Sequence, residues 1–193
     1  MCSSDLIIAL AGAALQNNAV FRHAYPELHQ TSYKFGVHSH MGVLRNQDIV
    51  HLISVGCKSS MELIIPMGHR HPVFCSAMGR AMLAYMPQEK VLDILDDCDL
   101  KQYTAATKTD RKVILQELQR VRQKGYCIVL DELVECIGSI AAPVFDRTRN
   151  AVAAVSVSAS SYSLSQPERE RELSKAVMSI ASTISGKLGY YPK

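Results

Sequence analysis

The sequence predicts an α+β domain: a mostly antiparallel sheet of about six strands with helices packed on it, preceded by a short helix. Three observations lead there. β-rich runs separated by short polar turns occur early and again late in the chain. Capped helical segments lie between and after them. There is no G-x-G-x-x-G, no P-loop and no internal repeat, so a dinucleotide-binding or nucleotide-hydrolysing sheet has no residues to rest on. The 193 residues, 48% hydrophobic and 20% charged, suit one globular domain. A chain of this length buries roughly 70% of the surface its unfolded form exposes, so its stability requires neither disulfides nor a structural metal.

The run from Leu6 to Leu15 reads as an amphipathic helix capped by Asp5 and ended by Asn17-Asn18. From Ala19 onward, Val20, Ala24, Leu28 and Tyr33 recur at helical spacing, Gly36 supplies a stop, and Pro26 should kink or restart the helix. His38–Leu44 and Ile49–Val55 flank the turn Arg45-Asn-Gln-Asp48 and predict a hairpin, and Met61–Pro66 predicts a further short strand. Ser76 is a good N-cap for a helix through Met86, and Pro87 opens a second helix through about Leu95. Asp110–Lys124 places Ile114, Leu118 and Val121 on one stripe, with Gly125 where a C-cap belongs. Tyr126–Leu130, Ile137–Phe145 and Ala151–Ala159 predict three strands, the last two joined by the loop Asp146-Arg-Thr-Arg-Asn150. In Ala151–Ser158 the alternation puts Val155 and Val157 on one face and Ser156 and Ser158 on the other. Ser165-Gln-Pro-Glu168 has the pattern of a capping box, and Leu173, Val177, Ile180, Ile184 and Leu188 continue as a long amphipathic helix.

The 21 basic and 18 acidic residues are spread along the whole length, net +3, and make no basic face of the kind that phosphate-backbone binding demands. Six cysteines (Cys2, Cys57, Cys75, Cys98, Cys127, Cys136) form no C-x-x-C pair and read as free, mostly buried thiols in a reducing cytoplasm. No zinc site and no cofactor are expected. The Leu6–Leu15 run follows Asp5 with no Lys or Arg before it, unlike a signal peptide, and falls short of the roughly 20 apolar residues a membrane span needs. The expectation is a cytoplasmic protein with no membrane partner.

Ser76-Ala77-Met78-Gly79 forms the first turn of a helix, whose N–H groups lack intrahelical partners and lie at the positive end of its dipole. Such a turn suits a carboxylate or phosphate, and it is equally an ordinary capped terminus. Ser156 and Ser158, with Ser139 as a third, supply donors to the same anion if their face looks into a cavity; otherwise they are the wet side of an antiparallel strand. His69, His71 and Cys75 lie close together, but no carboxylate or second cysteine completes a metal set, and His38 with His40 is equally incomplete. Cys75, beside a helix start, is a candidate thiolate without a recognisable base. Asp131 and Glu132 are adjacent, so along a strand they point to opposite faces and read as a charged loop or strand end. No Ser/His/Asp spacing is diagnostic of a hydrolase. No catalytic and no metal-binding residue is assigned.

Gly68-His-Arg-His-Pro72, Ser76-Ala-Met-Gly-Arg-Ala-Met-Leu-Ala84, Leu118-Gln-Arg-Val-Arg-Gln-Lys-Gly-Tyr126, Ser139-Ile-Ala-Ala-Pro-Val-Phe-Asp146 and Ala153-Ala-Val-Ser-Val-Ser158 together resemble the C-terminal effector-binding domain of IclR-type bacterial transcriptional regulators. The match runs in order through nearly the whole chain, and Leu10-Ala-Gly-Ala-Ala-Leu15 resembles the linker helix of that family. The resemblance implies a GAF-like (profilin-like) fold, a small organic acid effector held in a pocket, homodimers or homotetramers, and no catalysis. It implies a linker helix at 1–18 and an effector-binding domain at 19–193. DNA would be reached only through a winged helix-turn-helix, for which this chain has no room. In the family's small-acid sensors the carboxylate meets main-chain amides at the helix start matching Ala77 and Met78, and side chains matching Ser139, Ser156 and Ser158 also reach it. With Gly79, His71, Leu63 and Ile137, these make up the expected ligand-binding set.

Departures bear on the ligand. Where the glyoxylate and pyruvate sensors of the family carry an acidic residue early in the Gly-Tyr strand, this chain has Val129, and His71 stands where an apolar residue is usual. Ile128-Val-Leu130 and Ser139-Ile-Ala141 are more similar to the sensors of aromatic acids such as protocatechuate or hydroxybenzoate, which would give His71 a carboxylate or phenol as partner. Glu135-Cys-Ile-Gly138 departs from the usual Gly-Leu-Arg or Gly-Val-Arg of one pocket wall. Two other readings remain at this point: a GAF-like redox enzyme using Cys75, and an oligomerisation domain with a vestigial pocket.

Overall fold

The structure, a computed structural model, describes residues 5–6, 9–13, 19–57 and 65–191. Residues 5–6 and 9–13 are helical. The rest of the expected helix at 1–18, the expected strand from Met61 to Ile64 and the candidate lining residue Leu63 lie outside the described residues. Ile65 and Pro66, the end of that expected strand, are in neither helix nor strand.

Alternating apolar and polar residues with β-branched side chains favour extended pairing, and six such segments form one sheet. They are β1 (His38–Arg45), β2 (Asp48–Val55), β3 (Arg70–Pro72), β4 (Cys127–Leu130), β5 (Ile137–Phe145) and β6 (Ala151–Ser160). Their order is β3-β2-β1-β6-β5-β4, and every neighbouring pair is antiparallel. The early hairpin and the late hairpin meet at the sheet's centre, where His40 lies opposite Ser156 and His38 opposite Ser158.

Helices cover both faces. The alternation in β6 divides the interior into two cores: Val155 and Val157 enter one, Ala154 the other. The first core is closed by α1 (Ala19–Phe35) and the long α6 (Pro167–Lys187), through Ala24, Leu28, Leu173, Val177, Ile180 and Ile184. The second is closed by α2 (Ala77–Leu83), α3 (Gln88–Asp97) and α4 (Arg111–Lys124), through Ala81, Leu83, Leu95, Ile114, Leu118 and Val121. Burial of roughly a dozen large apolar side chains per core, each contributing about 1.5–3 kcal/mol, is the main force holding helices to sheet. Local chemistry sets the helix ends. Ser76 Oγ accepts from the Gly79 amide at 3.2 Å, Asp110 caps α4 through the Lys112 amide at 2.8 Å, and Gly125 ends α4 at φ +81°.

Three expectations need correction. Tyr33 is 86% exposed, because the buried stripe of α1 continues from Ala24 and Leu28 to Thr31 and Ser32 instead. Helix α1 also runs on through Pro26 without restarting. The capping box at Ser165–Glu168 does not form: the chain inserts one helical turn, α5 (Ser161–Leu164), after β6, and Ser165 closes it by donating to the Tyr162 carbonyl at 2.9 Å. Helix α6 then begins at Pro167, whose missing N–H costs nothing at that position.

Candidate functional site

Between α2 and the sheet lies a cavity of about 170 Å³. Its sheet wall is polar, which is unusual for a surface facing a helix. Ser139 on β5, Ser156 and Ser158 on β6, His40 on β1, His51 on β2 and His71 on β3 all line it. These residues form a belt across five strands, because register sets Ser139 opposite Ser158 and Ser156 opposite His40. The hydroxyls of Ser139 and Ser158 are 2.7 Å apart, so one donates to the other and the pair still has a hydrogen to offer. The belt depends on an irregularity: the β1–β2 register shifts between Met41 and Gly42. Along β2, Ile53 faces the first core while His51 lines the cavity and Ile49 faces the second core, as expected where a bulge re-aims a strand.

The roof is the start of α2, with Cys75, Ser76, Ala77 and Met78 on the cavity. The amides of Ala77 and Met78 have no acceptor within the helix. The Gly79 amide is taken by the Ser76 cap, and a Cβ on Gly79 would meet the Val73 carbonyl oxygen at 2.1 Å. Gly79 therefore lets the helix start lie against the Val73 backbone, and of this turn it is Ser76, Ala77 and Met78 that line the cavity. Ile137 and Val129 form an apolar end with Leu133 and Val134 from the β4–β5 loop.

That loop is held by a buried ion pair. Arg80 of α2, 0% exposed, donates two hydrogen bonds of 2.6 Å to the two carboxylate oxygens of Glu132 and one of 2.7 Å to the Phe74 carbonyl. Burial alone would lower the Arg80 pKa, but the hydrogen bonds and charge of Glu132 more than offset it, so the guanidinium stays charged. Glu132 also accepts from the Lys108 amide at 3.1 Å, and Thr107 Oγ1 donates to its carbonyl at 2.6 Å. Glu132 thus lies in a loop, as the sequence implies, but buried there as an internal anchor.

Electrostatically the cavity is neutral. Burial, followed by the nearby His38 and His71, holds His40 down at about 3; burial, then His71, His40 and His69, does the same to His51; burial and His69 lower His71 to about 4, against a small opposing pull from Asp48. Burial pushes the Cys75 thiol up to about 12, the wrong direction for a nucleophile. Among the described residues no group of three or more His, Cys, Asp or Glu side chains is arranged to hold a metal ion. His40, His51, Ser76, Leu133 and Val134 were not singled out as lining residues by sequence. The one available signal was His40 two residues after His38 on a strand. No helix among the described residues is long and apolar enough to cross a membrane.

Residues 12–186 match the family described as "Bacterial transcriptional regulator IclR C-terminal". The chain is 29% identical over 185 residues to the HTH-type transcriptional regulator KdgR of Escherichia coli K12, covering 96% of this chain and 70% of that protein. It is 27% identical over 150 residues to the HTH-type transcriptional repressor AllR of Salmonella typhi, covering 78% and 55%. The crystal structure of the C-terminal domain of E. coli KdgR matches with a TM-score of 0.82 at 28% identity, over 90% of this chain and all of that one. These relatives are regulators of transcription, not enzymes.

Proposed function

Because the chain belongs to the IclR family of bacterial transcriptional regulators, as its C-terminal effector-binding domain, we propose that the cavity under α2 binds a small carboxylic acid and that this binding modulates DNA binding by the full-length protein. The observation that supports this most directly is the belt of Ser139, Ser156 and Ser158 facing the first amides of α2 across one cavity. Hydroxyl and amide donors converging on one point suit a carboxylate, and hydrogen bonds to a charged acceptor are about twice as strong as neutral ones. The volume, about 170 Å³, is near that of an engineered 150 Å³ cavity known to hold benzene, and the apolar end formed by Val129, Leu133 and Ile137 suits a ring. Aromatic acids are therefore the leading class. Residues 1–18 serve as the linker helix and 19–193 as the effector domain. DNA contact belongs to another part of a cytoplasmic protein that works as a homodimer or homotetramer. Coupling requires that the acid prefer one of two states of the domain or its packing.

The test is a thermal-shift screen of the purified chain against aromatic acids and short-chain keto and hydroxy acids. A ligand at 100 times its Kd adds about 2.7 kcal/mol, which raises the melting temperature of a chain this size by about 5–10 °C. A panel in which no acid raises the melting temperature would leave the pocket vestigial and the proposal refuted.

A further inference from the structure

The cavity offers an anion hydroxyls and amides but no charge to balance it. Among the described residues that line it there is no Lys, Arg, Asp or Glu, and the titratable side chains are those of His40, His51, His71 and Cys75. Burying a carboxylate without a counter-charge is costly, and a carboxylate beside an imidazole favours the protonated ring.

The geometry singles out one pair of rings to hold that proton. The ring centres of His51 and His71 are 4.7 Å apart, and Nε2 of His51 lies 3.0 Å from Nδ1 of His71. Two neutral imidazoles share one hydrogen across such a contact. Whichever ring donates it, one added proton gives the same cation, with the bridging hydrogen kept and both outer nitrogens protonated, so the charge belongs to the pair. His51 is 2% exposed but His71 is half-buried, which gives the proton a way in from solvent.

The groups facing the pair come from four elements. From β1, His40 stands with its ring centre 5.7 Å from that of His51, with His38 acting on it in turn; from β3, His69 stands 4.8 Å from His71. From β2, Asp48 pulls on His71 but is itself paired with Arg70 at 3.5 Å, and from α2 the Cys75 thiol, pushed up to about 12, stays neutral. In the free cavity burial, followed by the neighbouring histidines, holds His51 at about 3 and His71 at about 4, so the pair is neutral at pH 7. A carboxylate about 4–6 Å away raises an imidazole pKa by about 2–3 at the effective dielectric of protein sites, which brings the pair to about 6–7.

We propose that the His51–His71 pair takes up one proton from solvent when an acid enters the cavity, so that the effector binds as an anion together with a proton and more tightly as the pH falls. The inference rests on the acid-binding reading given above.

Calorimetric titration with benzoate, 4-hydroxybenzoate and pyruvate tests it, at pH 5.5 and 7.5 and in two buffers of different ionisation enthalpy. The proteins are the parent chain, His51→Gln, His71→Gln and Ser156→Ala, each first checked for cooperative unfolding. For a probe that binds the parent, the buffer dependence should show uptake of about 0.7–1 proton at pH 5.5, and affinity should be about 4- to 20-fold higher at pH 5.5 than at pH 7.5. In each histidine variant that ratio should fall below about twofold, whereas Ser156→Ala should weaken binding at both pH values alike and keep the ratio. Should both histidine variants fail to fold, nuclear magnetic resonance of the parent at pH 5.5 decides: the imidazole Cε1–H signals of His51 and His71 should move to imidazolium positions as the acid is added. Binding without proton uptake, uptake that survives in both histidine variants and so places the proton on the acid itself, or histidine signals that stay at neutral positions would overturn this inference alone. If no acid binds the parent at either pH, the acid-binding function and this inference fall together.

Discussion

Removing the Glu132 carboxylate by Glu132→Ala would strand a guanidinium that the fold buries completely. The Arg80 side chain is 0% and that of Glu132 3% exposed, and two of the three hydrogen bonds that the Arg80 guanidinium donates end on the lost carboxylate, both at 2.6 Å. Breaking one partner of such a buried pair costs about 3–5 kcal/mol, because the remaining charge has neither water nor a counter-ion. Lys108 Nζ, 3.5 Å from Glu132, carries the same sign as Arg80 and cannot replace the carboxylate, and Glu117 acts on Arg80 only through its charge, without a hydrogen bond to it. A domain of ordinary stability has about 5–15 kcal/mol in all, so the variant loses a large part of it. In urea, with a slope of about 2–3 kcal/mol per molar, the unfolding midpoint should fall by roughly 1–2 M. Arg80→Met should cost a comparable amount, and Arg80→Met combined with Glu132→Leu should cost less than either single change, since an apolar pair replaces the ions without leaving a charge behind. Leu133 and Val134 follow Glu132 into the cavity wall, so acid affinity should drop with the single variants too. Single variants within about 1 kcal/mol of the parent, or a double variant showing the simple sum of the two losses, would refute the assignment of Arg80–Glu132 as an anchor.

Other consequences follow from the same geometry. Gly79→Ala, which in an unconstrained helix would gain about 1 kcal/mol, should instead destabilise by about 1–3 kcal/mol and lower the melting temperature, because the new Cβ meets the Val73 carbonyl oxygen at 2.1 Å. Ser156→Ala with Ser158→Ala should weaken acid binding by about 1–3 kcal/mol in calorimetry, and unchanged affinity would remove the serines from the site. For pH, the folded-state values of about 3 for His40 and His51 lie below the unfolded value of 6.5. Above pH 6.5 neither state holds these protons, and stability is full. As pH falls below 6.5 the unfolded chain takes them up and the folded one does not, so each histidine should lower stability by about 2 kcal/mol at pH 5. Urea unfolding at pH 7 and pH 5 checks this, and a free energy that stays level or rises on acidification would contradict it.

What the sequence made legible is what short-range chemistry determines. Ser76, Asp110 and Gly125 cap the helices as their types and positions imply, and the alternation in β6 separates Val155 and Val157 from Ser156 and Ser158. The capping pattern at Ser165 failed because a single turn after β6 used that serine first, a choice governed by how β6 leaves the sheet. The polar belt was half visible. Ser156 and Ser158 follow from period two on one strand, but His51 joins them only through the register shift at Met41/Gly42, which depends on pairing with another strand. Arg80 and Glu132 are 52 residues apart, and nothing local distinguishes Glu132 from the adjacent Asp131. Long-range pairing of this kind becomes visible only once the chain is folded.

Everything proposed for the cavity under α2 depends on a small acid entering it. The most direct measurement is a titration of the isotope-labelled chain with the acid that most stabilises it, followed by amide chemical shifts in nuclear magnetic resonance. Saturable shifts should be largest at Ala77, Met78, Ser139, Ser156 and Ser158. Shifts centred instead on the groove lined by Leu83, Gln88, Leu118 and Arg122, or shifts that never saturate, would contradict it.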